Sequence, residues 1–407
     1  MNRLLLIWRN ICYRPLQNGI AVGVMALSIA MGIVVLLLAQ SITGGLTGAA
    51  EPFPMVVGSK GSPNQLVLNT VFLKDLPMDN IEYATVEKLR SSPLVAAAIP
   101  LGFGDNYRGF RIVGTESELF EQKVRPKEPA WLQIESGRSF QHDYEAVLGA
   151  ATAAAIGLKV GDTFASSHGM VTIAKNTVEH QQKFTVCGIL KPLHGPYDQS
   201  ILIPLTSIWQ MHAGHDKKAV VAAADEHEHK EGGVTAIVVK PKGYAQALML
   251  HKEFRQNKFL QLVFPSQTVI ELFSILGQGE KLLKSISYAV ITLALLIIGC
   301  SLYWSALDRR RDQAILRALG ARRRDILLLN LGQGITVTLC GLVVGTTLGH
   351  TAFFALAQFL WQKTAVALQG TVTVEEAVLL LGTIVLGILF SLIPARIAAA
   401  REPAQEL

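Results

Sequence analysis

The apolar positions of this chain gather into four long runs, and finer alternation of apolar and polar residues fills the rest. The runs lie within 16–42, 266–308, 330–360 and 374–395. Each holds about 20 mainly apolar residues, the number that crosses a bilayer. We therefore expect four transmembrane helices. Before them, residues 1–15 place apolar side chains near one helical face and arginines elsewhere, a pattern typical of an amphipathic helix at a membrane surface.

The first run has two interpretations. Small residues follow it, as they follow the apolar core of a cleavable signal peptide. The run is longer than such a core, which has about 7–15 residues. We expect an uncleaved membrane anchor.

Residues 43–265 have ordinary soluble composition and predict a mixed α+β domain inserted between the first and second transmembrane helices. Gly157, Gly161 and Gly188 are predicted to lie in turns or caps. From residue 266 the helix pattern continues to 308, which indicates a stalk that leads into the second span. The predicted strands are FRIVGT (110–115), YEAVLG (144–149), KFTVCGIL (183–190), QSILIPL (199–205) and TAIVVK (235–240), and the predicted helices are TVEKLRS (85–91), AATAAAIGL (150–158) and YAQALMLHKEFRQ (244–256).

The arginines predict the orientation of the chain. Only 17% of the residues are charged, and the net charge is +6. Arginines are enriched in cytoplasmic flanks, and three groups of them share one side only if all four runs cross the membrane. The domain 43–265 then lies outside, and the net charge gives no reason to expect nucleic acid. Because Cys187 is the one cysteine of that domain, we expect no disulfide within it. Residues 396–407 are then a cytoplasmic tail. The three groups of arginines are Arg3, Arg9 and Arg14; Arg309, Arg310, Arg311, Arg317, Arg322, Arg323 and Arg324; and Arg396 and Arg401.

The loop between the second and third spans, 309–329, combines arginines with an ordered apolar stripe at the i, i+3, i+4 spacing of a helix. Gly320 is a natural helix stop. Two interpretations stay open. The arginines bind anionic lipid headgroups, or the helix docks into a groove of a cytoplasmic partner. In the second case, the docking residues are Arg310, Arg311, Ala314, Ile315, Leu316, Arg317, Ala318, Leu319 and Gly320.

The stretch RRRDQAILRALGARRRDI (309–326) resembles the signature of the permease subunits of the MacB/LolC/FtsX superfamily of ABC transporters. The segment IESGRSFQHDYEAVLGAATAAAIGLKVGDTF, followed by FTVCGILKP and YDQSILIPL, resembles the periplasmic core domain of that family. The resemblance implies that the 309–329 loop docks into a separate ABC ATPase, present in two copies, which binds ATP and magnesium. It also implies a second permease, identical or homologous, in the cytoplasmic (inner) membrane.

The resemblance further implies that this chain does not itself hydrolyse ATP. No GxxxxGK[ST] pattern occurs in the sequence, so we expect a permease that has no ATPase site of its own. Mechanotransmission would act on a lipoprotein, lipid-like or other hydrophobic cargo at the outer face. The alternative is an FtsX-like signal transmitter that activates an extracytoplasmic partner. A membrane-bound hydrolase is disfavoured, because no GxSxG, HExxH or CxxC pattern with the needed context occurs.

Two further groups of residues suggest contacts. Gly341, Gly345 and Gly349 have the four-residue spacing that lets helices approach closely, either between two subunits or within one. Four histidines lie among acidic residues in 211–233, a composition that suits zinc but also a solvated loop. Zinc-linked transport is therefore a weaker alternative function. The candidate ligands are His212, His215, His227 and His229.

Overall fold

The computed structural model describes residues 9, 13, 15–168, 179–213, 232–308, 315, 320–364, 370 and 372–400. They form a helical unit within Met1–Ser41, Leu276–Phe359 and Leu368–Leu407, and an α/β unit within Ile42–Ile275 and Leu360–Ala367. In chain order the elements are α1 (Pro15–Ala50), β1 (Met55–Ser59), α2 (Pro63–Thr70), β2 (Ile81–Glu82), α3 (Ala84–Ser91), β3 (Val95–Tyr107), β4 (Phe110–Thr115), α4 (Glu118–Glu121), β5 (Ile134–Gly137), β6 (Glu145–Leu148), α5 (Ala150–Ile156), β7 (Thr163–His168), β8 (Glu179–Leu190), a 3-10 turn (Pro196–Gln199), β9 (Ser200–Pro204), α6 (Leu205–Ala213), β10 (Gly233–Val234), β11 (Ala236–Pro241), α7 (Tyr244–Arg255), β12 (Leu260–Val263), α8 (Pro265–Asp308), α9 (Arg323–Thr364) and α10 (Val374–Ala400).

The α/β unit is built on one large mixed sheet. In the described part of the chain it has 10 strands, nine of them in the order β12-β1-β11-β3-β4-β9-β6-β8-β5, and β7 pairs with β3 and β8. The pairs β4–β9 and β6–β8 are parallel, and the other pairs of this sheet are antiparallel. A small second sheet joins β10 to β2. The predicted mixed α+β class is confirmed.

Both faces of the sheet are covered. Successive side chains of a strand point to opposite faces, and in β1 the buried Val56 belongs to one apolar cluster while Met55 and Val57 belong to another. The first cluster includes Tyr197, whose hydroxyl donates a 2.9 Å hydrogen bond to the carbonyl oxygen of Thr70. Full burial raises the pKa of Tyr197. The domain therefore has an apolar core on each side of its sheet.

The five predicted strands and three predicted helices of this domain are all present, with ends shifted by a few residues. Gly157, at φ +74°, ends α5, and Gly161, at φ +98°, lies in the following turn, as predicted. The prediction for Gly188 is wrong, because this residue lies inside β8. A Cβ there would stand 2.2 Å from the carbonyl oxygen of Arg138. Gly188 is needed for the close approach of two strands and forms no turn.

In the part of the chain that the structure describes, four helices are long and apolar enough to cross a membrane, as the sequence predicts: Pro15–Ala50, Lys284–Ser301 within α8, Arg323–Phe359 within α9 and Val374–Ile397 within α10. Their shared core includes Met25, Ile29 and Ile33 of α1, all with 0% exposure. Since α1 contributes most of the fully buried side chains of this cluster, we regard it as the central helix of the unit.

Candidate functional site

The first turn of α10 is tied to each of the other three helices of the helical unit. Gln40 of α1 donates a 3.1 Å hydrogen bond to the Thr373 hydroxyl. Lys284 of α8 lies 3.0 Å from a carboxylate oxygen of Glu375. Nε2 of His350, on α9, lies 2.8 Å from Oε1 of Glu376. We call these residues, Gln40, Lys284, His350, Thr373, Glu375 and Glu376, the helix junction.

Local sequence explains why this turn forms. Thr373 precedes α10, its hydroxyl accepts a hydrogen bond from the Glu376 backbone N–H at 3.4 Å, and its carbonyl accepts from Ala377 at 3.1 Å. Thr373 and Glu376 have the spacing of a capping box. Acidic side chains in a first turn also interact favourably with the helix dipole. The Glu376 carboxylate nevertheless points to His350 and so serves as a link between two helices.

The two carboxylates of the junction have different surroundings. The Glu375 side chain is 52% exposed and its pair with Lys284 is accessible to solvent. The Glu376 side chain is only 3% exposed. Its second oxygen, Oε2, is buried and has no hydrogen-bond partner among the described residues. An exposed ion pair contributes little stability, whereas the environment of a buried one strongly affects its energy. Glu376 is therefore the unusual group of the junction.

The glycines at 341, 345 and 349 place α9 directly against α1. A Cβ at Gly341 would stand 2.7 Å from the Cβ of Met25, and one at Gly349 would stand 3.0 Å from the Cβ of Ile33. At Gly345 the nearest atom is the carbonyl oxygen of Ala26, at 2.7 Å. This is the packing within one subunit that the sequence allowed. The dimer contact at these glycines stays a prediction.

The opposite end of the unit has polar links of its own. Gln333 of α9 donates a buried 3.1 Å hydrogen bond to Asn18 of α1. Gln17 of α1 donates to the Ser301 hydroxyl of α8 at 3.1 Å. Helix α1 is thus joined to α9 by close packing along its length and by the hydrogen bond between Gln333 and Asn18 near one end. Helices α8 and α10 also pack on α1: a Cβ on Gly32 would stand 3.2 Å from a methyl group of Leu379 and 3.3 Å from one of Ile291.

The predicted docking helix lies largely outside the described residues. Ile315 is helical and 45% exposed. Gly320 has φ +98°, the left-handed conformation that favours glycine. Because residues 316–319 lie outside the described residues, the predicted helix stop at this glycine stays a prediction. After it, the Arg322 N–H donates a 3.0 Å hydrogen bond to Asp325, which opens α9. The docking residues that lie outside the described part of the chain are Arg310, Arg311, Ala314, Leu316, Arg317, Ala318 and Leu319.

The predicted zinc ligands lie almost wholly outside the described residues. His215, His227 and His229 are not among them, and His212 is described only as backbone near the end of α6. Within the described ranges, no three His, Cys, Asp or Glu side chains are grouped to hold a metal ion. The zinc site stays a prediction.

Sequence reasoning did not find the His350–Glu376 link. An ionisable residue inside an apolar run is a candidate functional group. His350 lies inside the third run, and Glu376 lies at the start of the fourth. These two residues could therefore have been named as candidates for a contact, although the sequence does not specify the rotation of either helix.

Comparisons with known proteins match two regions of the chain to protein families. Residues 19–256 match the MacB-like periplasmic core domain family, and residues 284–404 match the FtsX-like permease C-terminal family. The chain is 26% identical over 235 residues to the ABC transporter permease YvrN of Bacillus subtilis, covering 55% of this chain and 54% of that one. It is 30% identical over 162 residues to the macrolide export ATP-binding/permease protein MacB of Burkholderia thailandensis, covering 39% of this chain.

The matched regions are parts of those relatives. The chain spans about half the length of YvrN and 24% of the length of MacB. Among solved structures, it is similar to the periplasmic region of MacB from Actinobacillus actinomycetemcomitans, with a TM-score of 0.34 and 11% identity, over 55% of this chain and 94% of that one.

Proposed function

Because the chain belongs to the ABC transporter permeases with a MacB-like periplasmic core domain and an FtsX-like C-terminal region, we propose that it transmits ATP-driven movement to the outer face of the membrane. It is a multi-pass inner-membrane protein whose large domain is extracytoplasmic. In the proposed complex, a separate ATPase binds the 309–329 loop, and the permease converts the closure of the ATPase into a movement that acts on cargo outside.

The observation that supports this mechanism best is the length of α8. This helix has 44 residues without interruption, which corresponds to roughly 66 Å at 1.5 Å per residue. The hydrocarbon core of a bilayer is about 30 Å thick. More than half of α8 is therefore available outside the membrane, and a helix of this length can carry a tilt or shift of its transmembrane part into the region beyond it.

The helix junction contains a contact that can change when α8 moves. Lys284, which ties α8 to α10, stands at the start of the candidate span of α8. Its pair with Glu375 is solvent-accessible, so it can exchange partners at small cost. We infer that movement of α8 relative to α10 breaks and remakes this contact during the cycle.

The partners follow from the same proposal. Two ATPase subunits bind ATP and magnesium, and a second permease, identical or homologous, completes the complex. The cargo is a lipoprotein, a lipid or another hydrophobic molecule at the outer face. Such cargo needs no hydrophilic channel, and mechanical work on an extracytoplasmic domain is sufficient to displace it.

The test is ATP hydrolysis by the complex of the permease and its ATPase in lipid, with lipoproteins, lipids and hydrophobic small molecules added one class at a time. Stimulation by one class supports transport and names the cargo. A response only to an added extracytoplasmic protein would favour the signal transmitter instead.

The role of a continuous α8 is tested by two variants at one position. Leu282 is 62% exposed within α8, so Leu282→Ala should leave the helix intact, whereas Leu282→Pro should break it. We expect both variants to insert, to bind the ATPase and to hydrolyse ATP without cargo. Cargo stimulation should persist in the alanine variant and disappear in the proline variant. Equal stimulation in both would show that the continuity of α8 is not needed.

A further inference from the structure

Helix α7 keeps several large apolar side chains exposed on its outward side. Tyr244 begins the helix and is 82% exposed, and Phe259, in the loop between α7 and β12, is 80% exposed. Leu248 and Met249 are exposed between them. Single exposed apolar side chains are ordinary on a protein surface, but a group of them on one side marks an interaction site.

Helical spacing places these side chains on one face. Residues three or four positions apart are neighbours on a helix surface. Leu248 lies one turn after Tyr244, and Lys252 and Arg255 continue the same face toward the end of the helix. The face is therefore apolar at its start and basic at its end. We call it, with the two residues of the following loop, the α7 face: Tyr244, Leu248, Met249, Lys252, Arg255, Lys258 and Phe259.

The opposite side of α7 fixes this face in place. Its side chains are buried in an apolar cluster that also contains Val57 of β1 and Val239 of β11. A surface that is held by a core loses little freedom when a partner binds, and this favours affinity. The buried side chains of α7 are Ala247, Leu250 and Phe254.

The basic part of the face lacks counter-charges. Lys252, Arg255 and Lys258 are exposed, and in the described part of the chain none of them forms an ion pair. Lys60 adds a charge at the loop, since its Nζ donates a 3.1 Å hydrogen bond to a backbone carbonyl there. Glu253 is the only acidic residue of α7. The α7 face thus presents a net positive charge to a partner.

Two common explanations cover only part of this pattern. Basic side chains in the last turn stabilise a helix through its dipole, which accounts for Lys252 and Arg255 but not for Lys258 or the exposed rings. A helix at a membrane surface turns its most apolar side toward lipid, whereas α7 buries that side in the domain. Tyrosine, methionine and arginine are instead enriched in protein interfaces, and the α7 face has all three.

We propose that the α7 face binds an acidic extracytoplasmic protein. Carboxylates of the partner lie opposite Lys252, Arg255 and Lys258, and apolar side chains of the partner cover Tyr244 and Phe259. The opposite charges guide the two proteins together, and burial of the apolar side chains slows their separation. This partner is separate from the ATPase and the cargo of the proposed function.

The test is photocrosslinking in cells that make the full-length permease with p-benzoylphenylalanine in place of Tyr244. Mass spectrometry then identifies the molecule that is joined to position 244. We expect an extracytoplasmic protein, joined within a segment rich in Asp and Glu. The same probe in place of Val160, an exposed residue between α5 and β7, should not give this product.

Charge reversal tests whether the partner recognises the basic residues. Lys252→Glu combined with Arg255→Glu should lower the yield of the product by roughly tenfold or more. Because both side chains are exposed, the melting temperature of the permease should not change. Lysine substitutions at the partner's carboxylates should restore the product in this variant. Lys127→Glu combined with Lys159→Glu is the matched control and should leave the yield unchanged, since both lysines are exposed elsewhere in the same domain.

Several results would overturn the proposal. They are a product with a second copy of the permease, a product with lipid alone, no product at position 244, and a product whose yield survives the charge reversal. None of them involves stimulation of ATP hydrolysis by cargo, so failure of this inference and failure of the proposed function are separate results.

Discussion

The carbonyl oxygen of Ala26 lies 2.7 Å from the point where a Cβ on Gly345 would stand. The obstacle is backbone, which cannot rotate away as a side chain can. Gly345→Ala should therefore push α9 from α1 and destabilise the helical unit by about 1–3 kcal/mol, the usual effect of overpacking. Thermal unfolding of the purified permease, followed by tryptophan fluorescence, measures the change.

Gly382 is the matched control for this prediction. It lies in α10, and a Cβ there would meet nothing within 4 Å. Gly382→Ala should leave stability unchanged or raise it slightly, since alanine favours the helix. Equal effects at the two positions would contradict the close packing of α9 on α1.

The predicted docking helix can be tested by changing its apolar stripe. Leu316→Asp combined with Leu319→Asp should abolish co-purification with the ATPase, because a groove that receives leucine will not accept two carboxylates. Membrane insertion should be unaffected. Val372→Asp is the control, since Val372 is 76% exposed just before α10, at the other end of the helical unit. If the double variant still co-purifies with the ATPase, the loop does not dock through this stripe, and its arginines bind lipid headgroups instead.

The pair of Arg138 and Glu145 makes a prediction about pH. The hydrogen bond from Arg138, together with backbone N–H groups of Gln141 and His142, lowers the pKa of Glu145 to about 2 from its ordinary value of 4.5. A lowered pKa stabilises the folded state above the ordinary value, and this contribution is lost as pH falls toward about 2. Glu145→Gln should therefore lower the melting temperature at neutral pH, and the difference from the unmodified protein should shrink as the solution becomes more acidic.

Glu128 is a suitable comparison for Glu145. Its pair with Arg125 is exposed, with the Arg125 side chain at 64% and the Glu128 side chain at 44% exposure. Glu128→Gln should have little effect at any pH, because exposed pairs contribute little. A constant difference between Glu145→Gln and the unmodified protein across the pH range would mean that the variant acts through packing and not through charge.

The His-rich segment allows a prediction about metal. Replacement of His212, His215, His227 and His229 together by alanine should reduce the zinc retained by the full-length permease after dialysis, because imidazoles are the ligands that zinc prefers there. Substitution is better than removal of 211–233, since Met211 is buried and Gly233 accepts a 2.8 Å hydrogen bond from Trp209. Unchanged zinc content would leave the segment as a solvated loop.

The sequence predicts the helices well and the junction poorly, for identifiable reasons. Four apolar runs are a property of local composition, and so are the β-branched strands of the α/β unit. Strand β3 was not predicted, because Pro100 and Gly102 disfavour strands; its pairing with β11 on one side and β4 on the other decides its conformation. The contact of His350 with Glu376 depends on the rotation and depth of two separate helices. No pattern within either helix specifies those quantities.

Helix α1 precedes two of its hydrogen-bond partners by more than 300 positions in the chain. Its Asn18 is 315 positions from Gln333, and its Gln40 is 333 positions from Thr373. During synthesis, Asn18 and the surface of α1 that receives the glycines of α9 therefore enter the bilayer before α9 is made. A chain that stops before α9 therefore leaves the surface of α1 at Met25, Ala26 and Ile33 without the glycines that pack against it.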